Sequence, residues 1–205
     1  DLLDRLPTIQ YEDHQPPLYY ALAALVFRLT DGSLIALRLL SRAIGTGVVV
    51  SAFAVGRWIA PDRPMLGLLA AALVALIPQH LAVLASVNND ALAFALMGAA
   101  YVALAVYVRR GLPAWLPGVI VGLGLLIKLN TLLLLGLFPL VFAAKIALID
   151  RQPGWLRRTV SAIAAFLIPA LALGSLWWLR NLSVYGVPDL FGLGAHDAVV
   201  VGQLR

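Results

Sequence analysis

The sequence has no cysteine and little charge. With no thiol among its 205 residues, disulfide frameworks and thiolate metal sites are excluded, and cysteine usage says nothing about the redox compartment. Charged residues make up 12% of the chain and hydrophobic ones 62%, against roughly 25% and about 45–50% in soluble domains. With a mean hydropathy of +0.94, this is the composition of an integral membrane protein. The motifs of soluble catalysis are missing too: there is no GxGxxG, P-loop, GxSxG or HExxH. The basic excess, a net charge of +5, is scattered between apolar stretches. That argues against nucleic acid as a partner and for loop charges that orient spans in a bilayer.

A bilayer crossing takes about 20 mostly apolar residues. Charged and Pro/Gly punctuation divides this chain into six such segments, near 35–57, 65–87, 91–108, 114–128, 130–148 and 159–179. The apolar stretch from 114 to 148 is too long for one crossing, and Lys128 is its only interior ionisable group before Lys145, so two short spans turning at "IKLN" are expected. The segment "PLYYALAALVFRLT" (17–30) is shorter than a crossing and reads as an interfacial or re-entrant helix. The expected fold is an all-α polytopic transmembrane bundle. Residues 1–34 form an outer loop with an interfacial helix, 35–179 the bundle, and 180–205 the start of a further outer loop. The small-residue runs "AAALVA" and "GVIVGLG" suit close helix approach. The opening "DLLDRLPTIQ" has neither methionine nor a signal-peptide pattern, so the chain reads as a piece of a longer protein.

Loop charges orient the spans. Arg57, Arg63, Arg109, Arg110, Lys145, Arg151, Arg157 and Arg158 fall on one side, which the positive-inside rule makes cytoplasmic. Eight of the ten acids fall on the other: Asp1, Asp4, Glu12, Asp13, Asp31, Asp90, Asp189 and Asp197. Acids do not set topology, so their gathering calls for another cause, and a reaction site on the outer face supplies one.

Several residues there are candidates for chemistry. In "ASVNNDALAFAL" (85–96), Asn88, Asn89 or Asp90 can cap the helix that follows, or Asp90, ionisable at a membrane boundary, can serve a site with Asn89 beside it. In "YEDHQPPLYY" (11–20), Tyr11, Glu12, Asp13, His14 and Gln15 precede two prolines that hold the backbone extended. This is either a solvated loop or a substrate-binding wall, with Asp13 as a second candidate acid. His14 beside an acid is a candidate acid/base group or ligand for a divalent metal. Arg38, Arg42, Lys128 and Arg180 lie at expected outer ends of spans, where they snorkel to lipid or converge on a phosphate. Trp177, Trp178 and Tyr185 fit an aromatic belt, His80 a hydrogen-bonded position inside the bundle, and His196 and Asp197 have no fixed place.

The order of these features, "HQPPLYY", "ALRLLSRAIG", "SVNNDALA", "GLGLLIKLN" and "WWLRNLSVYGVPD", resembles the polytopic GT-C glycosyltransferases, closest to the protein O-mannosyltransferase and aminoarabinose transferase branch. Those enzymes move a sugar from a polyprenyl-phosphate carrier to an acceptor on the periplasmic or luminal side. The resemblance implies that Asp90 matches the acid of the second outer loop, that Tyr11 and His14 fall in the polar element before "PPL", and that Lys128 matches the basic residue of "GLxxKxx". Gln15 stands where the aminoarabinose branch has a lysine that contacts the carrier phosphate. The acid of the first outer loop, the usual candidate base, is expected upstream of Asp1, after a first span that this chain lacks.

The expected function is therefore transfer of a sugar from a polyprenyl-phosphate donor to a lipid, glycan or protein acceptor, at the outer face of a bacterial inner membrane. Membrane lipids are the surroundings, no cofactor is expected to be required, and His14 is the candidate ligand if a divalent metal takes part. Cations would stabilise the departing phosphate, and a carboxylate would take the acceptor's proton. The alternatives are a transporter or flippase of lipid-linked saccharides, whose polar groups lie near the bilayer centre, and a non-catalytic membrane subunit.

Overall fold

Proline punctuates this chain's helices. In the computed structural model, which describes residues 14–199, Pro17 is the N-cap of α1 (Leu18–Leu29), a place where a fixed φ and a missing amide proton cost nothing. Ser33 caps α2 (Leu34–Ile59), its hydroxyl accepting from the Ala36 amide at 3.3 Å. Then follow α3 (Pro64–Ala75), α4 (Pro78–Leu84), α5 (Asp90–Arg110) and α6 (Trp115–Leu125). A 3₁₀ turn at Leu129–Leu132 leads into α7 (Leu133–Ala144), which continues as a π-helical turn at Lys145–Asp150. The chain closes with α8 (Trp155–Tyr185) and α9 (Leu193–Val199). No strand occurs among the described residues. The fold is an all-α polytopic bundle, as expected.

The spans differ in detail from the six segments. Among the described residues four helical stretches are long and apolar enough to cross a membrane: Leu34–Ile59, Asp90–Arg110, Leu129–Asp150 and Trp155–Tyr185. The segment near 65–87 is broken, with α3 and α4 meeting at 66°; Pro78 brings a ring and no donor to that point, so the helix cannot run through. The bent pair makes a fifth crossing if it counts as one. Over 114–128 only the 11 residues of α6 are helical; at about 1.5 Å per residue they reach roughly half of a ~30 Å hydrocarbon core. The break at Lys128 is where the sequence puts it. At the other boundary α8 runs on to Tyr185, so Arg180 and Asn181 are helical and the loop begins at Gly186.

Between helices in lipid there is little hydrophobic drive, so packing rests on close approach. On α6, a Cβ at Gly118 would lie 2.3 Å from the Phe166 carbonyl oxygen of α8, so only glycine lets these backbones touch. Phe138, Phe142 and Phe166 are fully buried and interlock α7 with α8, Phe166 lying 5.5 Å from each of the other two ring centroids.

The bundle has two unlike ends. At one, Arg109 donates to the Ile59 carbonyl, and Arg110 stacks 4.7 Å from the Trp58 ring centroid, beside the turns that carry the other cations of that side. The opposite end gathers the starts of α1 and α5, the turn around Lys128, and the end of α8.

Candidate functional site

The three polar residues of "SVNND" divide their work. The Asn88 side-chain oxygen accepts from the Asp90 amide at 2.9 Å, so the local turn is closed by Asn88. Asn89 holds the N-cap position without making a side-chain cap. It is 3% exposed and donates to Gln15 Oε1 at 2.5 Å and to the Ile127 carbonyl at 3.5 Å. Asp90 is thereby left for Lys128, whose Nζ lies 2.5 Å from its Oδ1.

Lys128 reaches that partner because α6 unwinds just before it. Its backbone is extended, at φ −154 and ψ 140, and its amide donates to the Gly124 carbonyl at 3.0 Å. A lysine flanked by long apolar stretches is costly unless paired. Asp90 supplies the counter-charge, and both side chains keep some exposure, 28% for Lys128 and 16% for Asp90. Beneath the pair, Ile127 packs with Tyr19, Ala23 and Ala93, while Tyr19 and Ser41 share a buried hydroxyl contact of 2.8 Å that ties α1 to α2.

The stretch from His14 to Pro17 is strapped across this end. The His14 carbonyl accepts from Trp177 Nε1 at 2.7 Å and from Asn181 Nδ2 at 3.3 Å, and the Leu18 amide donates to the Leu126 carbonyl at 3.1 Å. Under the strap lies a cavity of about 210 Å³, whose lining includes His14, Gln15, Lys128, Asn130, Trp178 and Asn181. It has one flexible cation, two amide side chains besides Gln15, and aromatic walls.

The structure thus brings His14, Gln15 and Lys128 to one cavity, with Asn89 and Asp90 directly behind them. Arg180 stands at the same end, donating to Asn181 Oδ1 at 3.1 Å and Tyr185 Oη at 3.2 Å, over the Trp177 ring at 4.7 Å. Arg38 and Arg42 are exposed on α2, and neither lines this cavity; Arg42 borders a separate one beside α4. Tyr11, Glu12 and Asp13 lie outside the described residues. As for a metal at His14, its ring lies 4.8 Å from that of His196. Among the described residues no group of three His, Cys, Asp or Glu side chains could hold an ion.

One expectation is overturned. His80, expected to be hydrogen-bonded inside the bundle, has a buried Nε2 with no partner among the described residues, because the bend at Pro78 leaves it against Phe94 and the apolar side of α5. Trp177, expected in an aromatic belt, also holds the strap. The signal for it was present: Trp177, Trp178 and Asn181 fall at helical spacing on one face, together with the buried Gly174. Phe191 and Leu193, which also line the cavity, carry no such signal.

Fold and site define a polytopic helical membrane protein with a carboxylate–ammonium pair beside an aromatic-walled cavity at one end. Residues 14–178 match the dolichyl-phosphate-mannose-protein mannosyltransferase family, a match that includes the strap, Asp90, Lys128 and both tryptophans. The chain belongs to that family and is a membrane glycosyltransferase of the GT-C type. No curated protein and no solved structure matches it.

Proposed function

We propose that this protein transfers a sugar from a polyprenyl-phosphate donor to a hydroxyl of a lipid, glycan or protein acceptor on the non-cytoplasmic face of the membrane. The observation that carries this reading is the Asp90–Lys128 pair beside the strapped cavity. The donor's tail stays in lipid and its phosphate lies at headgroup level, the depth of a helix start such as Asp90. Lys128 turns from Asp90 to the phosphate, and the freed carboxylate becomes the base. The acceptor oxygen attacks the anomeric carbon, the bond from that carbon to the phosphate oxygen breaks, the electron pair leaves with the phosphate, and the acceptor proton passes to Asp90. Lys128 neutralises the phosphate, with Arg180 at the rim and Asn181, Gln15 and His14 as sugar or phosphate contacts. The positive charge comes from the protein itself, so the transfer step requires no cofactor in this reading. The concentration of cations at the other end supports the assignment of sides.

A transporter of lipid-linked saccharides would need polar side chains near the middle of the bundle, whereas the Asp90–Lys128 pair sits where helices begin. The test is transfer by the purified protein from polyprenyl-phosphate mannose, compared with a nucleotide-linked mannose. Transfer from the lipid-linked donor alone is expected, and lost with Asp90→Asn. Equal use of the nucleotide sugar, or full activity of the variant, contradicts the reading.

A further inference from the structure

A second cavity, of about 760 Å³, opens at the arginine-rich end, between the last turn of α5, the start of α6, the π-helical turn and the first turns of α8. Its acid is already engaged. Asp150 accepts from Lys145 Nζ through both carboxylate oxygens, at 2.9 and 2.7 Å, so this pair neutralises itself. Arg157 and Arg158 also line the cavity, in the first turn of α8, where there is no acid and no side-chain cap. Both are exposed, and neither guanidinium group has a hydrogen-bond or ion-pair partner among the described residues.

The positive-inside bias asks only that cations lie on this side. It does not ask for two guanidinium groups on one cavity wall at the positive end of a helix dipole, where cations are unfavourable. Their neighbours behave differently. Arg57 donates to the Pro61 carbonyl at 2.9 Å, Arg151 to the Leu148 carbonyl at 2.8 Å, Arg109 to Ile59, and Arg110 rests on Trp58. An anion in the cavity would answer both arginines, the uncapped amides and the dipole together, and planar guanidinium groups match phosphate oxygens well.

The rim indicates which anion. Trp115 borders the cavity and is 53% exposed, and Trp155 beside it is 50% exposed, next to exposed Leu148, Ile149 and Leu156. Half-exposed tryptophans among exposed aliphatics mark the headgroup layer. We propose that this cavity binds the headgroup phosphate of an anionic phospholipid, held by Arg157 and Arg158. The site is separate from Asp90 and Lys128 and does not depend on the reaction assigned to them.

Native mass spectrometry of the purified protein in detergent tests this, with phosphatidylglycerol, phosphatidylcholine of the same acyl chains, and inorganic phosphate as probes. Wild-type protein is expected to retain phosphatidylglycerol over phosphatidylcholine. Affinity should fall roughly fivefold per arginine removed in Arg157→Gln with Arg158→Gln, and stay unchanged in Arg63→Gln, which removes a charge of the same side away from the cavity. If the double variant does not fold, Arg158→Gln alone should show the single step. Equal retention of the two lipids, unaltered binding by the arginine variants, or displacement of phosphatidylglycerol by millimolar inorganic phosphate would overturn the assignment.

Discussion

Asn89 and Gln15, 74 positions apart in sequence, meet through a hydrogen bond of 2.5 Å, and the same Asn89 amide reaches the Ile127 carbonyl. One buried side chain thus joins the strap, the start of α5 and the turn that carries Lys128. Replacing it with alanine leaves two acceptors without their donor, at a cost of about 1–3 kcal/mol. Asn89→Ala should lower the thermal midpoint in detergent, and Gln15→Ala should add little on top of it, since both remove one link. Full additivity would mean that the two act separately.

Gly192 tests the strap from its other side. Its φ is +71, and a Cβ there would lie 2.3 Å from His14 Cβ. Alanine at that position must both adopt a left-handed backbone, at about 1–2 kcal/mol, and push His14 away. Gly192→Ala should reduce sugar transfer at least tenfold while circular dichroism shows the same helix content. Unchanged transfer would show that His14 does not need its present place.

Gly118 governs the opposite part of the bundle. Gly118→Val would insert a branched side chain where α8 leaves room for a hydrogen atom only, forcing α6 and α8 apart. The expected outcome is a lower yield of folded protein and a lower thermal midpoint. A midpoint equal to wild type would mean that the helices separate easily.

Much of this was legible in the sequence and some was not, for physical reasons. Lys128 marks the break in the long apolar stretch because an ammonium group cannot sit inside hydrocarbon unpaired. Its partner Asp90 was visible as a boundary acid. Their contact was not, because a pairing across 38 positions depends on how α5 packs against α6. The bend at Pro78 was written in "IPQH", but hydropathy averages across a proline and reported one span. The end of α6 at Leu125 was not legible, since Leu126 and Ile127 are as apolar as the helix they follow. The strap contact of Trp177 was not legible from residue type, because an indole ring serves equally as a belt residue and as a hydrogen-bond donor.

The proposed sidedness rests on the loop charges and is open to chemical test, because the chain has no cysteine of its own. Asn130 borders the strapped cavity and Gln152 lies in the arginine-rich turn, and both are exposed. In intact cells, Asn130→Cys should react with a membrane-impermeant maleimide and Gln152→Cys only after lysis. The reverse pattern would invert the topology.

The central claim is that Lys128 receives the departing phosphate while Asp90 takes the proton. Steady-state kinetics with polyprenyl-phosphate mannose as the varied substrate, for Asp90→Asn and Lys128→Gln, tests it most directly. Asp90→Asn should lower kcat by about 10²–10⁴ without raising the donor KM, since Lys128 stays free for the phosphate, whereas Lys128→Gln should lower kcat/KM by about 10²–10³. Wild-type kinetics in either variant would contradict the account.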